Sequence, residues 1–197
     1  MNTSALLALT GFALISIATP GPNNLMLMAS GANFGYKRTV AHIFGISTGL
    51  MVMLLLTGMG IAQLFDKFPE SYQVLKVLSV SYMLYLAYKI VIIADLSAGE
   101  TATKPMSFLQ AAAFQWVNPK TWAMGLTAIS VYIPNTNFSS IVILAVVFGL
   151  VCIPSNLVWA LLGQNIKRLL TNINRLRIFN YSMASLLLAS LYPTLQL

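Results

Sequence analysis

Prolines and a glycine that open a helix, amides that can fill the opening, and a lysine among apolar residues are the parts of this sequence most able to do chemistry. The run IATPGPNNLML, residues 17–27, sets Pro20, Gly21, Pro22, Asn23 and Asn24 inside an apolar stretch. Each proline removes a backbone donor, and its ring clashes with the carbonyl four residues earlier. Gly21 adds backbone freedom, and the two amides can replace lost hydrogen bonds. Unpaired backbone groups cost several kcal/mol in hydrocarbon, so such an opening survives only against protein or water. A kink packed on a neighbour meets that condition, and so does a ligand site. A second opening, QWVNPKTW at residues 115–122, repeats the amide and proline in Asn118 and Pro119 and adds the charge of Lys120. Lysine at the centre of a membrane helix costs about 2.5–3.5 kcal/mol on insertion scales, so Lys120 must face a cavity, find a partner, or snorkel to the interface. A helix restarting after Pro22 offers free N–H groups and its positive dipole end, and a carboxylate is the natural guest. Lys120 would reinforce that pocket, with Asn23, Asn24 and Asn118 bonding an ammonium or hydroxyl.

The remaining chemistry-bearing residues are sparse. His42 is the sole histidine, and near the end of its segment it is either a proton relay or a structural residue. Gly45 and Gly49, four apart, fit close helix packing. Tyr82, Tyr85 and Tyr88 recur at helical spacing and read as packing and interface anchors, while Pro154, Ser155 and Asn156 mark another polar weak point. Cys152 is the lone cysteine, so neither a disulfide framework nor a paired metal motif is expected. Asp66, Glu70, Asp95 and Glu100 all fall in expected connections, which removes the usual carboxylate relay of proton-coupled pumps. There is no phosphate-binding loop, and no cofactor or metal is expected.

These residues must be positioned by membrane helices. The chain has 197 residues, 58% hydrophobic and only 8% charged, far from the quarter or so charged in soluble domains. Six segments approach the roughly 20 apolar residues a bilayer requires: about 4–30, 39–65, 71–94, 107–133, 138–163 and 178–196. They lack the alternation of barrel strands, so the expected fold is all-α, a polytopic bundle of about six transmembrane helices. The net charge of +7 fits basic loops beside membrane spans better than nucleic-acid binding. Lys37, Arg38, Lys89, Lys104, Lys167, Arg168, Arg175 and Arg177 fall on one side, against Lys67 and Lys76 on the other. The positive-inside rule then puts both termini outside the cytoplasm. The first segment has no basic residue before Lys37, so it reads as a retained span rather than a signal peptide. The polar stretch 95–106 divides the single domain, 1–197, into halves of about 1–96 and 105–197. Three spans in each give the halves inverted topology, and paired interrupted helices in such halves point to a transporter's binding site.

TPGPNN (19–24), AHIFGISTG (41–49), SYMLYLAYK (81–89), FQWVNPK (114–120) and SNLVWALLG (155–163) occur in the order that resembles the LysE/RhtB family of bacterial amino-acid exporters. The similarity runs along essentially the whole chain, and its spacing looks most like the cysteine and O-acetylserine exporter branch. The resemblance implies an inner-membrane carrier that exports amino acids or their derivatives, driven by the proton-motive force. By motif, Pro20, Gly21, Pro22 and Asn23 match the first signature and Asn118, Pro119 and Lys120 the second. Members with acidic residues in the first spans have an obvious coupling group. This chain has none, so His42 and Lys120 are the candidates for proton coupling.

The expected partners are a small amino acid and the lipid bilayer, with no nucleic acid, and a homo-oligomer is left open. Against the exporter stand three other classes. A membrane enzyme or redox relay lacks a catalytic pair. A scaffold or assembly subunit would use the helices for docking alone and should not respond to amino acids. A channel is disfavoured by paired openings, which suit alternating access.

Overall fold

The structure is a computed structural model, and it describes residues 2–61, 63, 67, 68, 70–96, 104–133 and 137–192, apart from the side chains of Tyr72 and 93–96. The described residues form helices and no strands. In chain order they are α1 (Thr3–Ala18), α2 (Pro22–Phe34), α3 (Tyr36–Leu56, continued by a π turn at Thr57–Ile61), α4 (Glu70–Leu96), α5 (Phe108–Val117), α6 (Pro119–Tyr132), α7 (Phe138–Lys167) and α8 (Ile173–Ala189).

Local chemistry sets most of the starts. The side chains of Asn2, Ser107, Asn118, Asn137 and Asn172 each accept a backbone N–H at the first turn of α1, α5, α6, α7 and α8, satisfying donors that a helix end leaves open. Ser107 and Gln110 do so reciprocally, as a capping box. α2 differs: Gly21 at its N-cap supplies no side-chain bond, and Pro22 occupies the first position, where a missing donor costs nothing.

Each of the six expected segments holds a helix or a helix pair among its described residues. Three helices are long and apolar enough to cross a membrane alone: Tyr36–Ile61, Gln73–Ile92 and Phe138–Lys167. The α1–α2 pair qualifies as a fourth, bent by 55°. α5 and α6 are each short, interrupted at Asn118, and α8 has 17 residues. α8 also departs from the expected 178–196: Asn172 caps it and draws Arg175 and Arg177 into its first turns. Asp95 lies within α4 rather than in a connection, and Glu70 is that helix's first residue. Asp66, Glu100 and most of the expected linker 95–106 lie outside the described residues. Pro154 does not interrupt α7, which runs through it.

α7 is the hub. It packs against α1, α2 and α3, while α3 also packs on α5 and α4 pairs with α8. Two apolar cores result. One joins Leu9, Leu27, Ile46, Leu144 and Phe148. The other sets Met83 and Leu86 of α4 and Leu187 of α8 against Met26 and Phe114. Glycines permit the closest crossings. A Cβ on Gly31 would meet the backbone of Ala160, and one on Gly163 the backbone of Met28, so α2 and α7 touch main chain to main chain. Gly45 and Gly49 allow the same approach of α3 to the backbone of Phe108 and Ala112 on α5. Leu7, Ile15, Leu109, Val131 and Leu150 stay exposed, as an apolar rim against lipid requires.

Candidate functional site

The two openings lie against each other. At the first, α1 ends at Ala18, and α2 begins at Pro22 after an extended Gly21. Asn24 folds back to donate Nδ2 to the carbonyls of Ile17, at 2.8 Å, and Thr19, at 2.7 Å. Backbone pairing in α2 resumes only with Leu25 N–H on Gly21 O, at 3.0 Å. The N–H groups of Asn23 and Asn24 make no hydrogen bond among the described residues, as a helix start with no cap requires.

At the second opening, Asn118 alone separates α5 from α6. Its Oδ1 accepts the Lys120 N–H at 3.1 Å, while the Trp122 indole N–H donates to Trp116 O at 2.8 Å. The bonds that close this break come from within its own segment.

Lys120 crosses between the two. Its Nζ donates to Thr19 O at 2.6 Å and Thr19 Oγ1 at 3.0 Å, with Pro20 O at 3.5 Å. The ammonium thus sits on the carbonyl end of α1, where the helix dipole is negative. Gly21 makes room for it, since a Cβ there would lie 2.7 Å from Lys120 Cδ. A second bridge is an amide pair: Asn23 Nδ2 donates to Gln115 Oε1 at 2.9 Å, and Gln115 Nε2 returns a bond to Asn23 Oδ1 at 3.2 Å. Gln115 is fully buried, also bonds Ala111 O at 2.9 Å, and accepts from Thr121 Oγ1 at 3.2 Å.

Between these bridges lies a cavity of about 30 Å³, lined by Gly21, Asn23, Asn24, Asn118, Lys120, Thr121, Cys152 and Asn156 among others. At roughly 10–15 Å³ per water it holds about two or three waters. Asn156 closes one wall, donating to Cys152 Sγ at 3.2 Å and Ser47 Oγ at 3.4 Å. Of the residues singled out in the sequence, Gly21, Asn23, Asn24, Asn118 and Lys120 line this cavity, while Pro20, Pro22 and Pro119 shape the backbone beside it. Gly45 and Gly49 lie at the α3–α5 crossing.

His42 is elsewhere. It is buried on α3, neither ring nitrogen has a hydrogen-bond partner among the described residues, and it lines a second cavity of about 90 Å³. That cavity lies between α2, α4 and the residues leading into α5, and Tyr82 and Tyr85 belong to its wall. Of the three tyrosines, Tyr82 and Tyr85 pack, with the Tyr82 ring 5.9 Å from Tyr85 and 5.6 Å from Phe114, while Tyr88 is exposed.

Sequence reasoning missed Gln115, Thr19 and Thr121. Gln115 carried a usable signal, an amide one turn before Asn118 in an otherwise apolar segment. Thr19 acts through its carbonyl, which no side-chain pattern reveals. Among the described residues no cluster of His, Cys, Asp or Glu forms a metal site.

Residues 14–190 match the family model of the LysE type translocators. The chain is also similar to the cysteine/O-acetylserine efflux proteins of Escherichia coli (strain K12) and Shigella sonnei (strain Ss046). Each is 32% identical over 179 residues, covering 89% of this chain and 90% of the relative. No solved structure matches it.

Proposed function

The chain belongs to the LysE type translocators, and on that premise we propose that it is a secondary transporter exporting small neutral amino acids or their derivatives, of the cysteine and O-acetylserine kind, across the bacterial inner membrane. The observation that carries this reading is the meeting of two interrupted helices at one polar cavity, bridged by Lys120 on Thr19 and by Asn23 on Gln115. Openings of this kind supply backbone groups that neither helix uses and that a zwitterion can.

In this reading the substrate carboxylate takes the place of the Thr19 carbonyl on Lys120 and receives the open N–H groups at the start of α2. Asn23 and Asn118 serve its ammonium and side chain, with Gln115 supporting Asn23 from behind. A cavity of about 30 Å³ is too small for an amino acid, so binding must part at least one bridge. The same parting frees α1 from α6, and a substrate-dependent change of access follows from it. Export runs on the proton-motive force, with Lys120 and His42 as the coupling candidates. His42 suits the role because it is buried, without a partner, and beside a cavity rather than in a packed core.

The halves, about 1–96 and 105–197, would be related by inverted topology. Supporting this, swapping the halves turns the packing of α1 on α7 into that of α5 on α3, and both packings are present. Both termini would face the periplasm, and a reporter active only in the cytoplasm, fused after Leu197, should give no signal.

Vesicles containing the purified chain and preloaded with single amino acids test the function. Efflux of one class, accelerated by a pH gradient, is the expected result. No efflux of any amino acid, together with no substrate-dependent gain in thermal stability, would leave a scaffold as the answer.

A further inference from the structure

One face of α2 serves both cavities. Asn23 lines the central one, and Met26, Ser30 and Asn33, each about a turn further along, line the second. Lys89 and Lys104, both on the side assigned above to the cytoplasm, line the second cavity. At about 90 Å³ it is three times the volume of the central cavity. It has room for several ordered waters, or for a small polar ligand in their place.

We propose that this second cavity is a distinct loading site, which binds the amino acid as a zwitterion while the central cavity is still closed. The proposal rests on the reading of the chain as an amino-acid exporter. Three features of the wall suit such a ligand. Lys89 and Lys104 are exposed lysines that line the cavity. Lys104 makes no ion pair or hydrogen bond among the described residues, and the Lys89 ammonium lies 5.4 Å from the centre of the Tyr85 ring. Both are available to a carboxylate. Met26, Leu86, Ile90 and Met106 give the side chain an apolar surface.

His42 is the independent sign that a polar ligand belongs here. The residue is 1% exposed, and neither imidazole nitrogen bonds any of the described residues. A buried polar group left unpaired costs about 1–3 kcal/mol, which a native structure rarely tolerates without a reason. A ligand in this cavity supplies the missing partner. The hydroxyls of Ser30 and Thr39 bond each other at 2.8 Å, and neither bonds an imidazole nitrogen. The substrate would therefore wait with its carboxylate toward the lysines and its other polar group on His42, until the Asn23–Gln115 pair opens ahead of it.

Equilibrium binding of radiolabelled O-acetylserine to the purified full chain in lipid nanodiscs tests this. Saturable binding is expected. The exposed pair Lys89→Gln with Lys104→Gln should weaken it at least tenfold, since two charge-assisted contacts are lost. Met106→Trp, which fills the cavity and leaves both lysines in place, should abolish binding in protein that remains monodisperse. Lys167→Gln removes a charge outside the cavity and should leave affinity within about twofold, as expected of an exposed charge far from the ligand. Wild-type affinity in the double lysine variant would overturn the proposal, and so would an equal loss in Lys167→Gln. Efflux by the wild type without saturable binding would remove the loading site and keep the exporter. Neither binding nor efflux of any amino acid would remove the exporter reading, and this site with it.

Discussion

The two helix breaks use the same residue types and end up differently satisfied. At Asn118 the side chain caps the following helix, and Trp122 reaches back over one turn to Trp116 O. That break is closed by its own neighbours. At Thr19–Gly21 Asn24 and the Thr19 hydroxyl help from within the segment, but the carbonyl of Thr19 also takes the ammonium of Lys120, 101 residues away. The α2 start lacks a side-chain cap altogether. One opening is thus self-sufficient, and the other is completed from the opposite half of the chain. A break that borrows its partners can give them up to a ligand, so the first opening is the one expected to move and the second the one expected to hold.

The largest effect should come from removing what is lent. Lys120→Met keeps the helix apolar but deletes the ammonium from Thr19 and Pro20. Hydrogen bonds to a charged group are worth about 1.5–3 kcal/mol, or roughly ten- to hundredfold in an equilibrium. Efflux should fall by about that factor, while the amount of folded protein falls much less, because Asn24 still holds Thr19 O. Lys120→Arg separates the roles, since arginine keeps the charge and does not release a proton. Restored substrate binding with lost pH-driven efflux would make Lys120 a coupling group. Restoration of both would make it a counter-ion alone. Unchanged binding and efflux in Lys120→Met would erase the contrast between the breaks.

An intermediate effect is expected at the amide pair. Asn23→Ala and Gln115→Ala each strip a two-way bond between α2 and α5. Interhelical hydrogen bonds in membranes average about 0.6 kcal/mol and reach about 1.7. A double-mutant cycle on unfolding stability should return a coupling in that range. Transport should fall further in Asn23→Ala than in Gln115→Ala, because Asn23 lines the central cavity and Gln115 supports it from behind. The reverse order would mean that the second break holds the substrate.

The sequence made the positions of these breaks legible, because proline, glycine and asparagine act on the backbone within a few residues. It also showed that Lys120 needs a partner at membrane depth. What that partner is depends on how α1 and α6 meet, and the carbonyl of Thr19 leaves no mark in a side-chain pattern. Gly31 and Gly163 were passed over for a similar reason. Only the crossing of α2 and α7 shows that each faces main chain. The start of α8 was misjudged because Arg175 and Arg177 look like loop residues, whereas the Asn172 cap has already begun the helix. The π turn at Thr57–Ile61, with Gly60 at a φ of 120°, likewise falls inside a stretch that reads as uninterrupted apolar helix.

The smallest effect should come from the break that holds itself. Asn118 has two separable functions. Its Oδ1 caps α6 through the Lys120 N–H, and its Nδ2 makes no bond among the described residues although Asn118 lines the central cavity. Asn118→Ala loses both and should cost about 1 kcal/mol of stability, the usual loss of an N-cap. Asn118→Ser keeps a capping oxygen and should recover most of that loss, since serine and asparagine cap about equally well. The two variants therefore differ in stability but share the missing amide donor. If the donor serves the substrate, both should show the same modest rise in the amino-acid concentration needed for half-maximal efflux. If Asn118 is only a cap, Asn118→Ser should transport as the wild type does, and the second break is a fixed wall on which the first one works.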